Sequence, residues 1–140
     1  MKLKVKKIHK EAKIPSRGHK GDAGLDLFSC EKCQLKPSES RAVSTGIQVA
    51  IPDGCAGLIW DKSGVSLKSV HRLAGVVDSG YRGEVKVVLV NLGEKTFKIE
   101  KGMKIAQLLI QKVMELDPME VDHLDPTLRG EGGFGSTGEY

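Results

Sequence analysis

The residues best suited to chemistry lie at two places in the chain, around Asp78 and in the carboxy-terminal segment. Asp78 follows the apolar run Gly75–Val77 and precedes a turn, so its carboxylate can sit at the rim of a partly buried pocket. The alternative for Asp78 is structural, because aspartate often opens a β-turn. The local sequence around Asp78 is compatible with both interpretations.

The carboxy-terminal segment combines residue types that suit a phosphorylated ligand. Residues 130–138 contain five glycines, with Arg129 just before them and Phe134 at their centre. Backbone amides that no side chain covers can surround phosphate oxygens, and an arginine can pair with those oxygens. Phe134 offers a flat apolar surface suited to a base. Composition alone instead favours a disordered tail, since such a segment buries little surface.

The cysteines indicate a reducing compartment. Cys30 and Cys33 have a spacing that occurs in zinc sites, but a second such pair is missing, and the third cysteine is Cys55. An odd number of cysteines argues against a disulfide framework. The apolar runs are too short to span a membrane, and the charged first ten residues do not resemble a secretory signal. We therefore expect a cytoplasmic protein with ordinary thiols and no membrane segment.

The elements that must position these residues are predicted to be short strands. Apolar and polar residues alternate in segments bounded by Gly, Pro and Asp, which indicates an all-β barrel or sandwich. Only Ser63–Val70 could form a short helix. We expect one domain over residues 1–140, with residues 118–140 as a carboxy-terminal arm. The predicted strands and short apolar segments are Leu3–Ile8, Ala23–Ser29, Ala42–Ile51, Cys55–Trp60, Leu73–Val77, Glu84–Asn91, Thr96–Ile99 and Ile105–Val113.

Composition and charge argue against nucleic acid as a stable partner. The 140 residues include 22 Lys and Arg against 18 Asp and Glu, for a net charge of +4. This charge is mild for a nucleic-acid binder, and the lysines are spread along the chain. The six aromatic residues are too few for a stacking platform along a single strand.

Five short segments stand out by their residue types, order and spacing. They are Ala23–Leu27, Asp61–Gly64, Gly75–Gly83, Gly102–Leu108 and Arg129–Gly138. Each segment alone would be a weak signal, whereas the ordered set is highly specific. The set resembles the five motifs of the trimeric dUTP diphosphatase (dUTPase) family, and the resemblance extends from Ala23 to Gly138, which is most of the chain.

The resemblance implies a fold, a reaction and an assembly. The fold would be a distorted jelly-roll-like β-barrel of the β-clip type, with one short helix and a flexible glycine-rich tail. The reaction would be Mg²⁺-assisted hydrolysis of dUTP to dUMP and pyrophosphate, which keeps uracil out of DNA and supplies dUMP for thymidylate synthesis. Three identical subunits would share each active site among all three chains, with the arm closing as a lid.

The resemblance also implies roles for single residues. Asp78 would activate the water molecule that attacks the α-phosphorus, and Gln107 would lie near the phosphates. Asp26 would support the metal region indirectly, through water. Tyr81 would pack against the deoxyribose and leave no room for a 2′-hydroxyl. Backbone groups at four positions of the hairpin would bind uracil: Arg72, Val76, Val77 and Lys86.

Phosphate contacts are implied in two segments. Lys62, Ser63 and Gly64 match the family's Arg-Ser-Gly, with a lysine that cannot form the two-pronged contact of an arginine. The alternative for this lysine is a solvated surface charge. In the arm, the resemblance pairs Arg129 with the γ-phosphate and stacks Phe134 on uracil. The amides and hydroxyls of the next three residues would bind phosphate: Gly135, Ser136 and Thr137.

Two related readings stay open at the level of sequence. A dCTP deaminase, or a bifunctional form that makes dUMP from dCTP, would share the barrel and the trimer. We find no clear match to the glutamate motif that such enzymes use at the base. A non-catalytic nucleotide sensor would keep the pocket but not the reaction. The joint presence of Asp78, Gln107, Arg129 and Phe134 favours catalysis.

Overall fold

The structure is a computed structural model that describes residues 2–134 and 136–137. These residues form eleven strands and one single-turn helix. Within them, no helix has the length and apolar character needed to cross a membrane. The elements are β1 (Lys4–Lys7), β2 (Leu25–Phe28), β3 (Cys33–Leu35), β4 (Ser40–Ser44), β5 (Ile47–Ala50), β6 (Cys55–Trp60), α1 (Ser63–Ser66), β7 (Val70–Ala74), β8 (Val76–Val77), β9 (Lys86–Asn91), β10 (Phe97–Ile99) and β11 (Lys104–Lys112).

The strands pair antiparallel in four small sheets. The largest sheet has the order β2-β11-β6-β8, and the second has the order β4-β9-β7. Two two-stranded sheets, β1-β5 and β10-β3, complete the set. Strands that are neighbours in space are mostly distant in sequence, as in Greek-key and jelly-roll folds. The nearly all-β, jelly-roll-like fold class predicted from the sequence is confirmed.

The core lies between these sheets and follows the period of the strands. In β9, Val87 and Leu89 are buried, while Val88 between them is more exposed. The buried Asn91 at the end of β9 donates hydrogen bonds from Nδ2 to the carbonyls of Leu35 and Lys95, so its amide is satisfied inside the protein. Burial of each large apolar side chain stabilises the fold by about 1.5–3 kcal/mol. The largest fully buried side chains include Leu27, Leu35, Ile47, Leu89, Ile99, Ile105 and Leu108.

Two predicted strands are each divided in the structure. The segment Ala42–Ile51 bends between β4 and β5 at Gly46, whose φ of +69° is costly for other residue types. Leu73–Val77 is divided because β7 pairs with β9 whereas β8 pairs with β6, in a different sheet. Both breaks lie beside the candidate site, where the chain passes from one sheet to another.

The helix is shorter than predicted and one strand was missed. The helix covers Ser63–Ser66, because the buried Val70 already belongs to β7 and pairs with Asn91 of β9. The strand β3 contains only three residues and pairs with β10. Its single buried leucine gives too weak an alternation to detect in the sequence.

The chain beyond β11 forms an extended arm. From residue 113 onwards, the described residues lie in no helix or strand, and nearly all of them are exposed. Apolar side chains along this arm, such as those of Met119 and Leu128, face solvent. Such exposure is typical of a segment that packs against another surface when it acts.

Candidate active site

The connection from β8 to β9, within the hairpin that β7 and β9 form, lines a cavity of about 580 Å³. Strand β8 holds one wall, because it pairs with β6 and because the N–H of Ile59 donates to the carbonyl of Gly75 at 3.0 Å. Five of the predicted site residues line the cavity: Val76, Val77, Asp78, Tyr81 and Lys86. The other lining residues include Ile59, Gly75, Glu84 and Val85. An apolar wall with a few polar groups at its rim is typical of a small-molecule site.

Tyr81 is fixed over the turn by its own backbone neighbours. Its N–H donates to the carbonyl of Asp78 at 3.1 Å, and its hydroxyl donates to the carbonyl of Glu84 at 3.0 Å. A methyl group on Gly83 would come within 2.3 Å of the Tyr81 hydroxyl oxygen, so the ring lies directly on this glycine. The ring is therefore held in one orientation at the edge of the cavity.

Glu84 anchors the hairpin to the bend between β4 and β5. Its Oε1 accepts a hydrogen bond from the N–H of Gly46 at 2.9 Å, and its Oε2 lies 3.7 Å from the ammonium of Lys86. The hydroxyl of the buried Thr45 donates to the carbonyl of Val85 in the same region. Sequence reasoning did not select Glu84, because Gly46, whose N–H its carboxylate accepts, lies 38 residues earlier in the chain.

Asp78 is one of the residues that line the cavity. The residue is exposed, while Val77 before it is buried and holds β8 against β6. The sequence-based expectation of a carboxylate at a pocket rim agrees with this placement. A carboxylate that is open to water and next to an apolar wall can accept a proton from a bound water molecule.

A second cavity, of about 330 Å³, is lined by polar residues from three of the other motifs. It lies between β2, the start of α1 and β11. Asp26, Lys62 and Gln107, which sequence reasoning assigned to the phosphate and metal region, all line it. The remaining lining residues are Gly18, His19, Asp22, Ala23, Gly24 and Lys104.

Asp26 is the centre of this second cavity. Its side chain is 7% exposed, and its two carboxylate oxygens each lie 2.7 Å from a lysine ammonium, Oδ1 from Lys62 and Oδ2 from Lys104. Burial by itself raises the pKa of Asp26, but the hydrogen bonds and charges of Lys104 and Lys62 outweigh burial, so the pKa lies below its usual value. The carboxylate is therefore ionised at neutral pH.

Gln107 connects the second cavity to the region of β7. Its Nε2 donates to the carbonyl of Asp61 at 2.8 Å, and a Cβ on Gly24 would come within 2.1 Å of its Oε1. Asp61 in turn accepts a hydrogen bond from the N–H of Arg72 at 2.8 Å and contacts His71 at 2.9 Å. Only a glycine at position 24 leaves room for this amide.

Arg72 lies outside the lining of the first cavity. Its guanidinium lies over the ring of Trp60, 4.9 Å from the centroid. Its backbone N–H donates a hydrogen bond to Oδ1 of Asp61. Its Nε is buried and has no hydrogen-bond partner among the residues that the structure describes. The backbone N–H of Arg72 is thus occupied in this chain.

The remaining predicted phosphate-binding residues are exposed. Ser63 and Gly64 lie on α1, directly after Lys62, and the buried Val65 fixes this turn to the core. In the arm, the Nε of Arg129 donates to the carbonyl of Gly132 at 2.8 Å, which is a hydrogen bond within the arm. Phe134, Ser136 and Thr137 are exposed and lie outside the linings of both cavities, while Gly135 lies outside the described residues.

The thiols give no sign of a metal site. Cys30, Cys33 and Cys55 are all free. Burial, with the nearby carboxylates, raises the pKa of the Cys30 and Cys33 thiols, which keeps them protonated. In the described part of the chain, no three His, Cys, Asp or Glu side chains come together around a common point.

Comparisons with known proteins agree with the sequence motifs. The sequence model of the dUTPase family matches residues 10–138. The chain is 48% identical over 141 residues to a deoxyuridine 5′-triphosphate nucleotidohydrolase of Clostridium kluyveri, with 99% of each chain covered. It is also 48% identical to one of Gloeothece citriformis, over 99% of this chain and 97% of the relative.

Solved structures show the same similarity. A dUTPase mutant of Staphylococcus bacteriophage 80alpha, with dUpNHpp, aligns with a TM-score of 0.93 at 33% identity, over 98% of both chains. A mutant dUTPase from the S. aureus phage phi11, described with a structural Mg(II) ion, aligns with a TM-score of 0.82 at 29% identity, over 88% of this chain and 98% of that one. The chain therefore belongs to the dUTPase family and is an enzyme that hydrolyses dUTP.

Proposed function

We propose that the chain converts dUTP to dUMP and pyrophosphate with Asp78 as the base that activates the attacking water. The observation that carries this proposal is the convergence of Asp78, Tyr81 and the apolar strand β8 on one cavity. The water oxygen forms a bond to the α-phosphorus as the bond from that phosphorus to the bridging oxygen breaks. The proton passes to the Asp78 carboxylate, and pyrophosphate leaves with the bonding electron pair.

The first cavity would bind the base and the sugar. Backbone groups of Val76, Val77 and Lys86 would pair with uracil, since hydrogen bonds to the backbone do not depend on the side chain. Arg72, the fourth position expected from the sequence, would not take part through its N–H, which already donates to Asp61. A cytosine would leave donors and acceptors mismatched, at a cost of about 1–3 kcal/mol for each unpaired group. The fixed ring of Tyr81 would lie against the deoxyribose and exclude a 2′-hydroxyl.

The second cavity would bind the triphosphate. Lys62, Ser63 and Gly64 would contact the phosphates, and Gln107 would reach them through water. The arm would supply Arg129 to the γ-phosphate, Phe134 to the uracil face, and Gly135, Ser136 and Thr137 to the phosphate oxygens. Closure of the arm would exclude bulk water from the reaction.

The donor groups fit a magnesium ion that the substrate carries. The described residues provide no cluster of three carboxylate, imidazole or thiol groups, and both oxygens of Asp26 already contact lysines. Mg²⁺ usually keeps several waters and binds substrate phosphates, so Asp26 would reach it only through a water molecule. When bound, the ion would reduce the negative charge of the phosphates. The relative from phage phi11 is described with Mg(II), which supports this part of the proposal.

A homotrimer with shared active sites would unite these parts. We call the first cavity the base-side cavity and the second the phosphate-side cavity. In the described residues, the two cavities have different lining residues, and the arm contributes to neither. Separate subunits would bring one cavity of each kind and one arm together. Such an enzyme would act in the cytoplasm, which agrees with its free thiols. There it would keep uracil out of DNA and supply dUMP for thymidylate synthesis.

Substitution of the proposed base tests the mechanism. We expect Asp78→Asn to lower kcat by about two to four orders of magnitude, since general base catalysis contributes about 10²–10⁴-fold. The affinity for dUpNHpp should stay within a few-fold, because the amide has nearly the same shape. Asp53→Asn, in the exposed turn between β5 and β6, is the matched control and should leave kcat unchanged. Near-normal turnover in Asp78→Asn would overturn the assignment.

Substrate profiling tests the specificity. Pyrophosphate release should occur with dUTP and be much slower with dCTP, dTTP, the purine deoxynucleotides and UTP, and it should depend on Mg²⁺. Ammonia release from dCTP would instead indicate a deaminase. Binding of dUTP without any pyrophosphate release would indicate a nucleotide sensor.

A further inference from the structure

Two lysines share one buried carboxylate in the phosphate-side cavity. Lys62 and Lys104 each lie 2.7 Å from an oxygen of Asp26. The lysine side chains are 32% and 47% exposed, whereas that of Asp26 is 7% exposed. One ammonium is enough to neutralise the carboxylate, so the cluster has one positive charge in excess.

An irregularity in β11 places Lys104 in this cluster. Across the β2–β11 pair, Gln107 lies opposite Asp26 and Lys104 opposite Phe28, with a register shift between Lys104 and Ala106. In a regular strand, residues three apart point to opposite faces. The bulge changes the face to which the following side chains point, so that Lys104 and Gln107 both line the phosphate-side cavity.

Among the described residues, the second acidic group of the cavity contacts His19 and neither lysine. Asp22 is the other carboxylate in the lining, and it accepts the N–H of His19 at 2.8 Å. The imidazole of His19 lies 3.7 Å from the same carboxylate and is largely exposed. These two residues therefore pair with each other at the rim, and the lysines remain with Asp26.

We propose that Lys104 is a positioning residue that keeps Asp26 neutralised, so that the ammonium of Lys62 can move onto the phosphates of the bound nucleotide. The inference rests on the proposed role of Lys62 in phosphate binding. Lys62 is the better placed of the two to move, because it directly precedes Ser63 and Gly64 at the start of α1. Without Lys104, Lys62 would be the sole partner of a buried charge, and its departure would leave that charge unpaired.

A double-mutant cycle in the full-length protein tests this relation. The variants are Lys104→Met, Lys62→Met and the double variant, with Lys112→Met at the exposed end of β11 as the matched control. Calorimetry would measure the affinity for dUpNHpp and, separately, for dUMP. Lys104→Arg keeps the charge and should bind dUpNHpp nearly as the unmodified protein does.

The expected result is strong coupling between the two lysines. Lys104→Met should weaken dUpNHpp binding by about tenfold in the unmodified background but by no more than about twofold when Lys62 is already methionine. The affinity for dUMP should change by less than about twofold in Lys104→Met, since dUMP lacks the outer phosphates.

Three results would overturn the proposal. Equal weakening in both backgrounds would mean that Lys104 acts independently of Lys62, and equal weakening for dUMP and dUpNHpp would mean a general structural defect. Unchanged affinity in Lys104→Met would remove its role altogether. An unchanged affinity in Lys62→Met would instead contradict the proposed phosphate site itself, so the two failures can be told apart.

Discussion

Single residues of the site depend on backbone groups that hold them in place. Tyr81 is oriented by the carbonyl of Glu84 and by the close approach of Gly83. Gln107 is oriented in the same way by the carbonyl of Asp61 and by Gly24. The two glycines are part of the site although they carry no functional group, because a side chain at either position would displace the residue that acts.

Gly83→Ala should impair the selection of the sugar. The added methyl group would come within 2.3 Å of the Tyr81 hydroxyl oxygen and push the ring away from its position. We expect the preference for dUTP over UTP, measured as the ratio of kcat/KM values, to fall by about tenfold or more. Gly80→Ala lies in the same turn, where a methyl group meets no atom within 4 Å, and serves as the control. An unchanged ratio in Gly83→Ala would argue against the role of Tyr81.

At the scale of elements, irregular strands build both cavities. The bulge in β11 brings Lys104 and Gln107 to one face, and β2 supplies Asp26 opposite them. The bend between β4 and β5 exposes the N–H of Gly46 to the carboxylate of Glu84. Regular strands of the same sequence would direct these side chains elsewhere.

The ion cluster at Asp26 should make stability depend on pH in the acid range. Burial raises the pKa of Asp26, but Lys104 and Lys62 lower it further, so the folded-state pKa lies below the unfolded value of 3.8. The stabilisation is therefore fully present well above pH 3.8 and is lost as the pH falls through the folded-state pKa.

Acid unfolding of two variants would measure this contribution. We expect Asp26→Asn to lose less stability than the unmodified protein as the pH falls from about 5 to below 3.8, because its side chain does not titrate. Asp53→Asn, at an exposed position, should follow the unmodified protein. Parallel curves for all three proteins would show that the cluster contributes no pH dependence.

At the scale of the whole molecule, the described residues of the proposed site lie in separate parts of the chain's surface. The base-side and phosphate-side cavities are lined by different described residues, and the described arm bonds to itself. The apolar side chains of the arm are exposed, so its removal should cost the folded body little.

Deletion of residues 129–140 should separate folding from turnover. We expect the truncated protein to keep its thermal unfolding temperature within a few degrees and to lose about two orders of magnitude or more in kcat, because closure orients the substrate. Full-rate hydrolysis by the truncated protein would contradict the lid role.

Mixed assemblies would test whether sites are shared between chains. Truncated subunits should be co-refolded with full-length Asp78→Asn subunits, each nearly inactive alone. If chains share sites, some mixed sites contain Asp78 from one subunit and the arm from another, and activity should reappear. Mixtures that stay inactive would show that each site belongs to a single chain.

The residues proposed to carry the chemistry could be selected from the sequence, because the selection depends on residue types in a linear order. The motif around Asp78 and the arm with Arg129 and Phe134 are local patterns, and the turn at Gly75–Gly83 is contiguous. The prediction of short strands was correct in outline for the same reason, since alternation and turn residues are local signals.

The contacts of Lys104 and Glu84, the breaks in the predicted strands and the separation of the two cavities could not be read in this way. Each depends on which distant strand lies next to which, and a shift of one residue in strand pairing turns a side chain to the opposite face. The order of residues therefore determines which groups this enzyme has for hydrolysing dUTP. The pairing of β2 with β11 and of β6 with β8, formed only in the folded chain, determines which of those groups face one another.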